Sequence, residues 1–278
     1  MDHGAKVEIL LSTYNGSKHL EEQLSSLVNQ TYQNFVVTIR DDGSKDSTHE
    51  VIAKFVQNYP DKFRFIEDGK GNLGSTLSFS TLLEHSVENY IMLCDQDDFW
   101  LNDKVELTYN AMCRLEADNP GLPLMIFTDL TEVDEKLNVI NDSFFKSQKL
   151  FPEICNDPLK LVALNVVAGC TVMINKTALR FVLPLPSSKI IHDQWLAINI
   201  AHYGKISFIA NPTLLYRQHA QNVVGANSVS HWYFLKKIFN FKKQLNIYID
   251  LITNLKFRIS ILGFIRYKIL FTVKRLVY

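Results

Sequence analysis

The chain has 278 residues, 47% of them hydrophobic, and formal charges that cancel to zero, which is the composition of an ordinary globular protein with room for one large domain or a domain plus an extension. Its four cysteines (Cys94, Cys113, Cys155 and Cys170) are scattered, with no CxxC pair and no histidine at zinc spacing, so they read as buried reduced thiols of a cytosolic protein. The zero net charge hides an asymmetry: residues 1–193 carry 17 Lys+Arg against 28 Asp+Glu, whereas residues 194–278 carry 12 against Asp250 alone. An acidic body and a basic tail that meets something anionic are expected.

The first half alternates strand and helix patterns. Val7–Leu11 is a short apolar run, followed by the loop Ser12-Thr13-Tyr14-Asn15-Gly16, after which Leu20, Gln23, Leu24, Leu27 and Val28 keep helical spacing. Phe35–Arg40 alternates as a strand and ends at Asp41-Asp42-Gly43-Ser44. Ser47-Thr48-His49-Glu50 has capping-box spacing and opens a helix through Val51, Ile52, Phe55 and Val56. Phe63–Ile66 is a third strand, Ser75–Val87 a helix after the glycine-rich Gly69–Gly74, and Tyr90–Cys94 a fourth strand. Asp103–Ala117 then reads as a helix and Leu124–Phe127 as a strand. This alternation predicts an α/β fold, a mostly parallel sheet with helices on both faces.

Beyond that point the pattern loosens. Residues 129–165 read as an insertion with little regular structure, a candidate cover for the site. Val166–Ile174 is apolar and broken by glycine, His192–Tyr203 is helical, and Ile206–Ile209 and Thr213–Tyr216 are short strands. No basic-then-apolar leader precedes the first strand, so export is not expected. From His231 onward, apolar residues alternate with Lys236, Lys237, Lys242, Lys243, Lys256, Arg258, Arg266, Lys268, Lys274 and Arg275. Ile259–Ile265 is far too short to span a bilayer. A basic amphipathic segment of this kind suits a membrane interface or a helical pair packed on the body.

The most informative residues are Asp95-Gln96-Asp97-Asp98, set at the end of an apolar strand and followed by Phe99-Trp100. Three carboxylates within four residues repel one another, and the arrangement makes sense around a divalent cation, which prefers carboxylate oxygens. Open α/β sheets bind ligands at this end of their strands. The loops after the first two strands carry polar groups suited to a nucleotide. Gly69, Gly71 and Gly74 formally spell G-x-G-x-x-G, but that motif belongs after the first strand of its unit and here follows the third, so no dinucleotide site is expected.

Ser12-Thr13-Tyr14-Asn15-Gly16, Asp41-Asp42-Gly43-Ser44-x-Asp46-x-Thr48, Gly71-Asn72-x-Gly74 and Cys94-Asp95-Gln96-Asp97-Asp98-x-Trp100 occur in that order. Together they resemble an inverting family 2 glycosyltransferase of the GT-A fold. Glu22-Gln23-Leu24 and Tyr216-Arg217-Gln218-His219-x-x-Asn222 add a likeness to its rhamnosyltransferase-like branch. The resemblance covers roughly residues 7–225 and implies a catalytic domain over 1–228 with a basic helical extension over 229–278.

It also implies roles. Thr13, Tyr14 and Asn15 would border the nucleotide, Asp42 would contact base or ribose with Asp41 beside it, and Asp95 would approach the ribose and the metal-bound diphosphate. Asp97, Asp95 and His219 would hold Mn²⁺ or Mg²⁺, and Arg217 and His219 would meet the diphosphate. Asp193, in His192-Asp193-Gln194-Trp195, would be the base that takes the acceptor proton, with His192 a supporting neighbour and Trp195 either an acceptor wall or a core residue. The implied reaction is transfer of one sugar to a glycan acceptor, probed first with dTDP-L-rhamnose and alternatively with a UDP-hexose. A lipid-linked acceptor, the inner face of a bacterial cell membrane and surface-polysaccharide assembly complete the expectation, with no nucleic-acid partner. Processive synthesis is not expected, because neither long transmembrane helices nor a Gln-x-x-Arg-Trp signature is present. The rivals are a catalytically silent sugar-nucleotide-binding scaffold and a nucleotidyltransferase; Ser12–Gly16 lacks the basic residue of the latter's phosphate loop.

Overall fold

The computed structural model describes residues 4–187, 189–219 and 241–277. The apolar runs and their following helices become β1 (Val7–Thr13), α1 (Ser17–Val28), β2 (Phe35–Asp41), α2 (Thr48–Asn58), β3 (Phe63–Ile66), α3 (Ser75–His85) and β4 (Tyr90–Cys94). There follow β5 (Phe99–Trp100), α4 (Lys104–Asp118), β6 (Leu124–Val133), β7 (Val139–Asn141), α5 (Phe144–Ser147), α6 (Pro158–Ala163), β8 (Met173–Asn175), α7 (Leu179–Val182), α8 (His192–Tyr203) and β9 (Lys205–Arg217). Two C-terminal helices, α9 (Phe241–Asn254) and α10 (Ile261–Val277), complete the described chain.

The strand order is β3-β2-β1-β4-β8-β6-β9-β5, with β7 paired to β6. The β3-β2-β1-β4 half is parallel; β8 enters antiparallel between β4 and β6, and β9 runs parallel to β6. Alternation along the strands divides the interior in two. Leu10, Ile91, Leu93, Met125 and Phe127 face α3, α6 and α8. Val7, Ile9, Leu11, Met92, Leu124 and Ile126 face α1, α2 and α4. Apolar residues on both sides of β1 and β4 are what a parallel sheet covered by helices requires.

Several local expectations change. Residues 129–165 are not irregular: β6 continues to Val133, and β7, α5, a 3₁₀ turn at Pro152–Asn156 and α6 follow. Polar Asp129 and Glu132 hid the strand, because their partners come from elsewhere: Ser143 Oγ and the Phe145 N–H for Asp129, and Asn141 Nδ2 for Glu132. The two short strands after α8 are one strand, β9. Pro212 sits where its register against β6 shifts, a position where a missing N–H is tolerated. The capping box at Ser47 does not form; Asp46 Oδ1 accepts from the Thr48 N–H instead, at 3.1 Å.

The expected extension begins outside the described residues, as does Asn222 of the late motif. Its described part is helical and packed on the body. Leu251, Leu255, Phe264 and Phe271 are buried in the same cluster as α3, α6 and α8, and Phe271 stacks on Phe151 at 6.0 Å between ring centroids. No helix among the described residues is long and apolar enough to cross a membrane. Phe264→Ala is therefore expected to lower the unfolding free energy by about 3 kcal/mol in urea denaturation, as for a buried aromatic. A loss below about 1 kcal/mol would mean that α10 contributes no shared core.

Candidate active site

One cavity of about 1040 Å³ opens beyond the C-terminal ends of β1, β2 and β4, where an α/β sheet presents its ligand crevice. Ser12, Thr13, Tyr14, Asn15, Asp42, Asp95, Asp97, Asp193 and His219 all line it, so the structure gathers most of the sequence-selected residues around one space. Asp41 and Arg217 stand behind its wall.

The loop after β1 is braced by the loops beside it. Thr13 Oγ1 donates to Asp41 Oδ2 at 2.8 Å, and Asp41 Oδ1 accepts from the Gly43 and Ser44 N–H groups. Those donors hold the Asp41 carboxyl below its ordinary range despite burial. The Asn15 N–H reaches Ser44 Oγ at 2.7 Å while Asn15 Oδ1 accepts from the Lys45 N–H at 2.8 Å. Gln96 bridges from β4: its Oε1 takes the Tyr14 N–H at 2.8 Å and its Nε2 donates to the Tyr14 carbonyl at 3.0 Å.

Asp42 is almost fully buried. It accepts from Arg40 Nη1 at 2.5 Å and from the Leu73 and Gly74 N–H groups at 2.8 Å each. Arg40 also pairs with Asp68 at 2.7 Å and reaches the Gly71 carbonyl at 2.9 Å. Gly69, Gly71 and Gly74 all have φ between 65° and 78°, a left-handed region that explains the glycine spacing without any dinucleotide. Asp42 thus lines the cavity while fixing the Gly69–Gly74 rim.

At the end of β4, Asp97 Oδ2 meets His219 Nε2 at 2.9 Å, and the His219 ring stacks on His19. Asp95 lies instead with Asp98 and Cys170, their donor atoms within 4.8 Å of one another. The three expected metal ligands are therefore split, Asp97 with His219 and Asp95 beside Asp98. Burial first, then the charges of Asp97 and Asp193, push Asp95 up to about 7. Buried Asp98, which sequence reasoning left without a role, has neither oxygen hydrogen-bonded among the described residues, and burial, then the charges of Asp97 and Asp95, push its pKa well up. A carboxylate-rich donor set with an adjacent imidazole and too little compensating charge fits a hard divalent cation.

Arg217 is placed differently from a phosphate clamp. It is 2% exposed, and its guanidinium donates to the carbonyls of Asp97 and Glu135 and pairs with Glu22. Its position suits holding the Asp97 turn, and it ties the early Glu22-Gln23-Leu24 motif to the late one.

Asp193 occupies the first turn of α8, whose N-cap is Ile191, so it is not the capping residue. Its Oδ1 accepts from Asn165 Nδ2 at 3.1 Å and from the Gln194 N–H. Burial raises its pKa to about 7 against those hydrogen bonds. Asn165 is itself locked to Val167 by two hydrogen bonds, Nδ2 to the carbonyl at 3.0 Å and Oδ1 from the N–H at 3.1 Å. Nothing in its sequence neighbourhood marks that role. His192 does not bond to Asp193. It packs on Phe79, burial lowers its pKa to about 4, and Gly169 leaves it room. Trp195 is a core residue, its Nε1 donating to the Val182 carbonyl at 2.7 Å.

A parallel β-α-β half-sheet with a cavity at its carboxyl edge and an Asp-x-Asp turn beside it matches the GT-A glycosyltransferase fold. The family model described as glycosyl transferase family 2 matches residues 8–180, and the chain belongs to that family. It is 27% identical over 229 residues to the dTDP-rhamnosyl transferase RfbG of Shigella flexneri, covering 78% of this chain and 74% of that protein. An uncharacterized glycosyltransferase of Rickettsia bellii is 29% identical over 173 residues, 60% of this chain and 23% of that one. Among solved structures, S. aureus TarS 1-349 in complex with UDP-GlcNAc superposes with a TM-score of 0.63 at 16% identity, over 98% of this chain and 73% of that chain. The mannosyltransferase PcManGT of Pyrobaculum calidifontis, in complex with GDP-Man and Mn²⁺, gives 0.57 at 16% identity over 87% and 64%. These two establish a shared fold.

Gly16 tests the bracing of the loop after β1. A Cβ there would lie 2.1 Å from Gln96 Oε1, so the amide must swing away and release both bonds to Tyr14. Gly16→Ala is expected to cost only about 1–2 kcal/mol of stability while weakening nucleotide binding at least tenfold by calorimetric titration. Gln96→Ala should reproduce the binding defect; unchanged affinity in both would show that the bridge does not shape the site.

Proposed function

We propose that the chain transfers one sugar from a nucleotide donor to a carbohydrate acceptor, inverting the anomeric centre, with a divalent metal at Asp97, Asp95 and His219. The observation that carries this reading is one cavity lined by Asp95, Asp97 and Asp193, the last buried and raised to about 7. Thr13, Tyr14 and Asn15 border the nucleotide and Asp42 faces it from the rim. A bound Mn²⁺ or Mg²⁺ would supply Lewis-acid neutralisation of the departing diphosphate. The acceptor hydroxyl attacks the anomeric carbon from the face opposite the leaving group, and its proton passes to Asp193. Asn165 holds that carboxylate in place. A base titrating near neutrality is matched to this task.

For the donor, dTDP-L-rhamnose is the first choice, supported by the likeness to RfbG. The acceptor of this reading is a lipid-linked glycan in bacterial surface-polysaccharide assembly, and the enzyme works on the inner face of the membrane with residues 229–278 as its basic extension. Supporting this, α10 turns Leu262, Ile265, Ile269, Leu270 and Val273 to the outside, with Arg266 and Lys274 beside them. Apolar faces of that extent mark contact surfaces, and each basic residue near an anionic bilayer adds roughly 1 kcal/mol.

Two measurements test the reading. Thermal unfolding with dTDP, dTDP-rhamnose, UDP, UDP-glucose and UDP-GlcNAc, each with and without Mn²⁺, should show stabilisation of roughly 2.7 kcal/mol at 100 times Kd, with metal only. No metal-dependent shift with any of them would overturn a metal-assisted nucleotide site. Separately, kcat/KM should rise with pH through about 7 and level off above, because the deprotonated Asp193 is the active form. Asp193→Asn should remove transfer while leaving donor binding within about twofold; near-normal turnover would remove Asp193 from the role of base.

A further inference from the structure

α1 begins directly after the loop of Thr13, Tyr14 and Asn15, and the His19 and Leu20 N–H groups close its first turn on the Gly16 carbonyl at 3.1 Å and 3.0 Å. The helix is firmly seated, with Leu20, Leu24 and Leu27 fully buried in the core that it shares with the sheet. His19 and Glu22 are three residues apart, hence neighbours on one face, and both reach the segment that ends β9. The His19 ring stacks on His219 with 5.5 Å between centroids and 25° between planes. Glu22 pairs with Arg217, whose Nε donates to the Asp97 carbonyl at 3.0 Å. Lys18 adds an ion pair to Glu135 at 2.6 Å, and the Glu135 carbonyl also accepts from Arg217.

The working end of this arrangement is Asp97 Oδ2, which lies 2.9 Å from His219 Nε2. Two donor atoms side by side on an octahedral ion with bonds of about 2.1 Å stand about 3.0 Å apart, so a cation can take both without moving either far. Their hydrogen bond is given up when it does, because Nε2 then offers its lone pair to the metal. Orientation of the imidazole must come from contacts that survive this exchange. A ring stack is such a contact. It acts on the face of the imidazole and leaves both nitrogens available, and the observed separation falls inside the ~4.5–7 Å range of favourable aromatic pairs.

We propose that His19 is a positioning residue for the metal site: carried on α1, its ring holds the His219 imidazole in the plane from which Nε2 meets a divalent cation shared with Asp97. This rests on the metal-assisted reading above and extends it to a residue that does not itself line the cavity. Glu22 completes the brace by holding Arg217, and through it the Asp97 backbone. Since α1 starts at the loop that borders the nucleotide on that reading, one helix sets the nucleotide loop and the metal ligand relative to each other.

The test uses the full chain and Mn²⁺, with dTDP or UDP at saturation, and follows free Mn²⁺ by electron paramagnetic resonance. His19→Ala is expected to weaken Mn²⁺ binding about fivefold, the loss of one ring pair, whereas His19→Phe, which restores an aromatic face without a ligating nitrogen, stays within about twofold of the parent. The visible absorption of bound Co²⁺ reports ligand arrangement; it should change in His19→Ala and match the parent in His19→Phe. A purely structural role would lower the melting temperature of metal-free His19→Ala and leave both metal readouts as in the parent, and that result overturns the proposal. So does a loss in His19→Phe as large as in His19→Ala, since the nitrogens and not the ring face would then matter. Failure of the metal reading itself looks different: the parent binds no Mn²⁺ in the presence of nucleotide, or His219→Ala binds it as the parent does.

Discussion

Mutual repulsion among carboxylates beyond the end of β4 is the constraint around which the site is arranged. Asp95, Asp97 and Asp98 leave the strand together, and α8 brings Asp193 close enough for its charge to raise Asp95. A folded chain tolerates this only by fixing the backbone and limiting the charge. Arg217 grips the Asp97 carbonyl from behind, His219 meets the Asp97 carboxylate, and Asp98 and Asp95 are pushed toward the protonated form. Lys104 is fully buried nearby with its Nζ on Thr213 Oγ1 at 3.1 Å, and burial lowers its own pKa to about 8. An acidic site of this kind is stable enough to exist and electrostatically primed for a cation.

The second support is a hydrogen-bonded frame that turns three loops into one rim. Arg40 is its centre, reaching Asp42, Asp68, Ser78 and the Gly71 carbonyl from a side chain with no exposure. Asp42 passes the constraint to Leu73 and Gly74, and Asp41 passes it to Thr13 and Ser44. Carboxylates whose oxygens are already satisfied by backbone N–H groups offer shape and field to a nucleotide more than new hydrogen bonds. On the proposed reading, Asp41 and Asp42 therefore shape the rim, and the loop of Thr13, Tyr14 and Asn15 is left to meet the nucleotide.

The sequence was most legible where local chemistry decides structure. β3 and β4 begin and end where their apolar runs do, α8 spans His192–Tyr203 as its pattern requires, and the Asp-Gln-Asp-Asp turn sits where a strand must end. It was least legible where a partner is distant in the chain. Asn165 is 28 residues from the Asp193 that it holds, Arg40 is 28 from Asp68, and Arg217 is 195 from Glu22. Residue type alone told that Arg217 has a fork of donors and not where the fork points. Asp129 and Glu132 concealed the second half of β6 for the same reason, since a polar residue in a strand is explained only by the partner that comes to it.

The basic tail acquires a different meaning once α10 is seen from both sides. Periodicity alone distinguishes a membrane-facing helix from one packed on the body only if a helix has a single task. Here Phe264, Lys268, Phe271 and Arg275 turn inward while Leu262, Ile265, Ile269 and Val273 turn outward. The inward face combines core packing with lining of the cavity, where Lys268 and Arg275 reach it. Removing α10 would therefore expose the core formed by α3, α6 and α8 and also open the cavity on the side of Asp193. A segment coupled in this way to both packing and the site behaves as part of the catalytic body, whatever its outer face contacts.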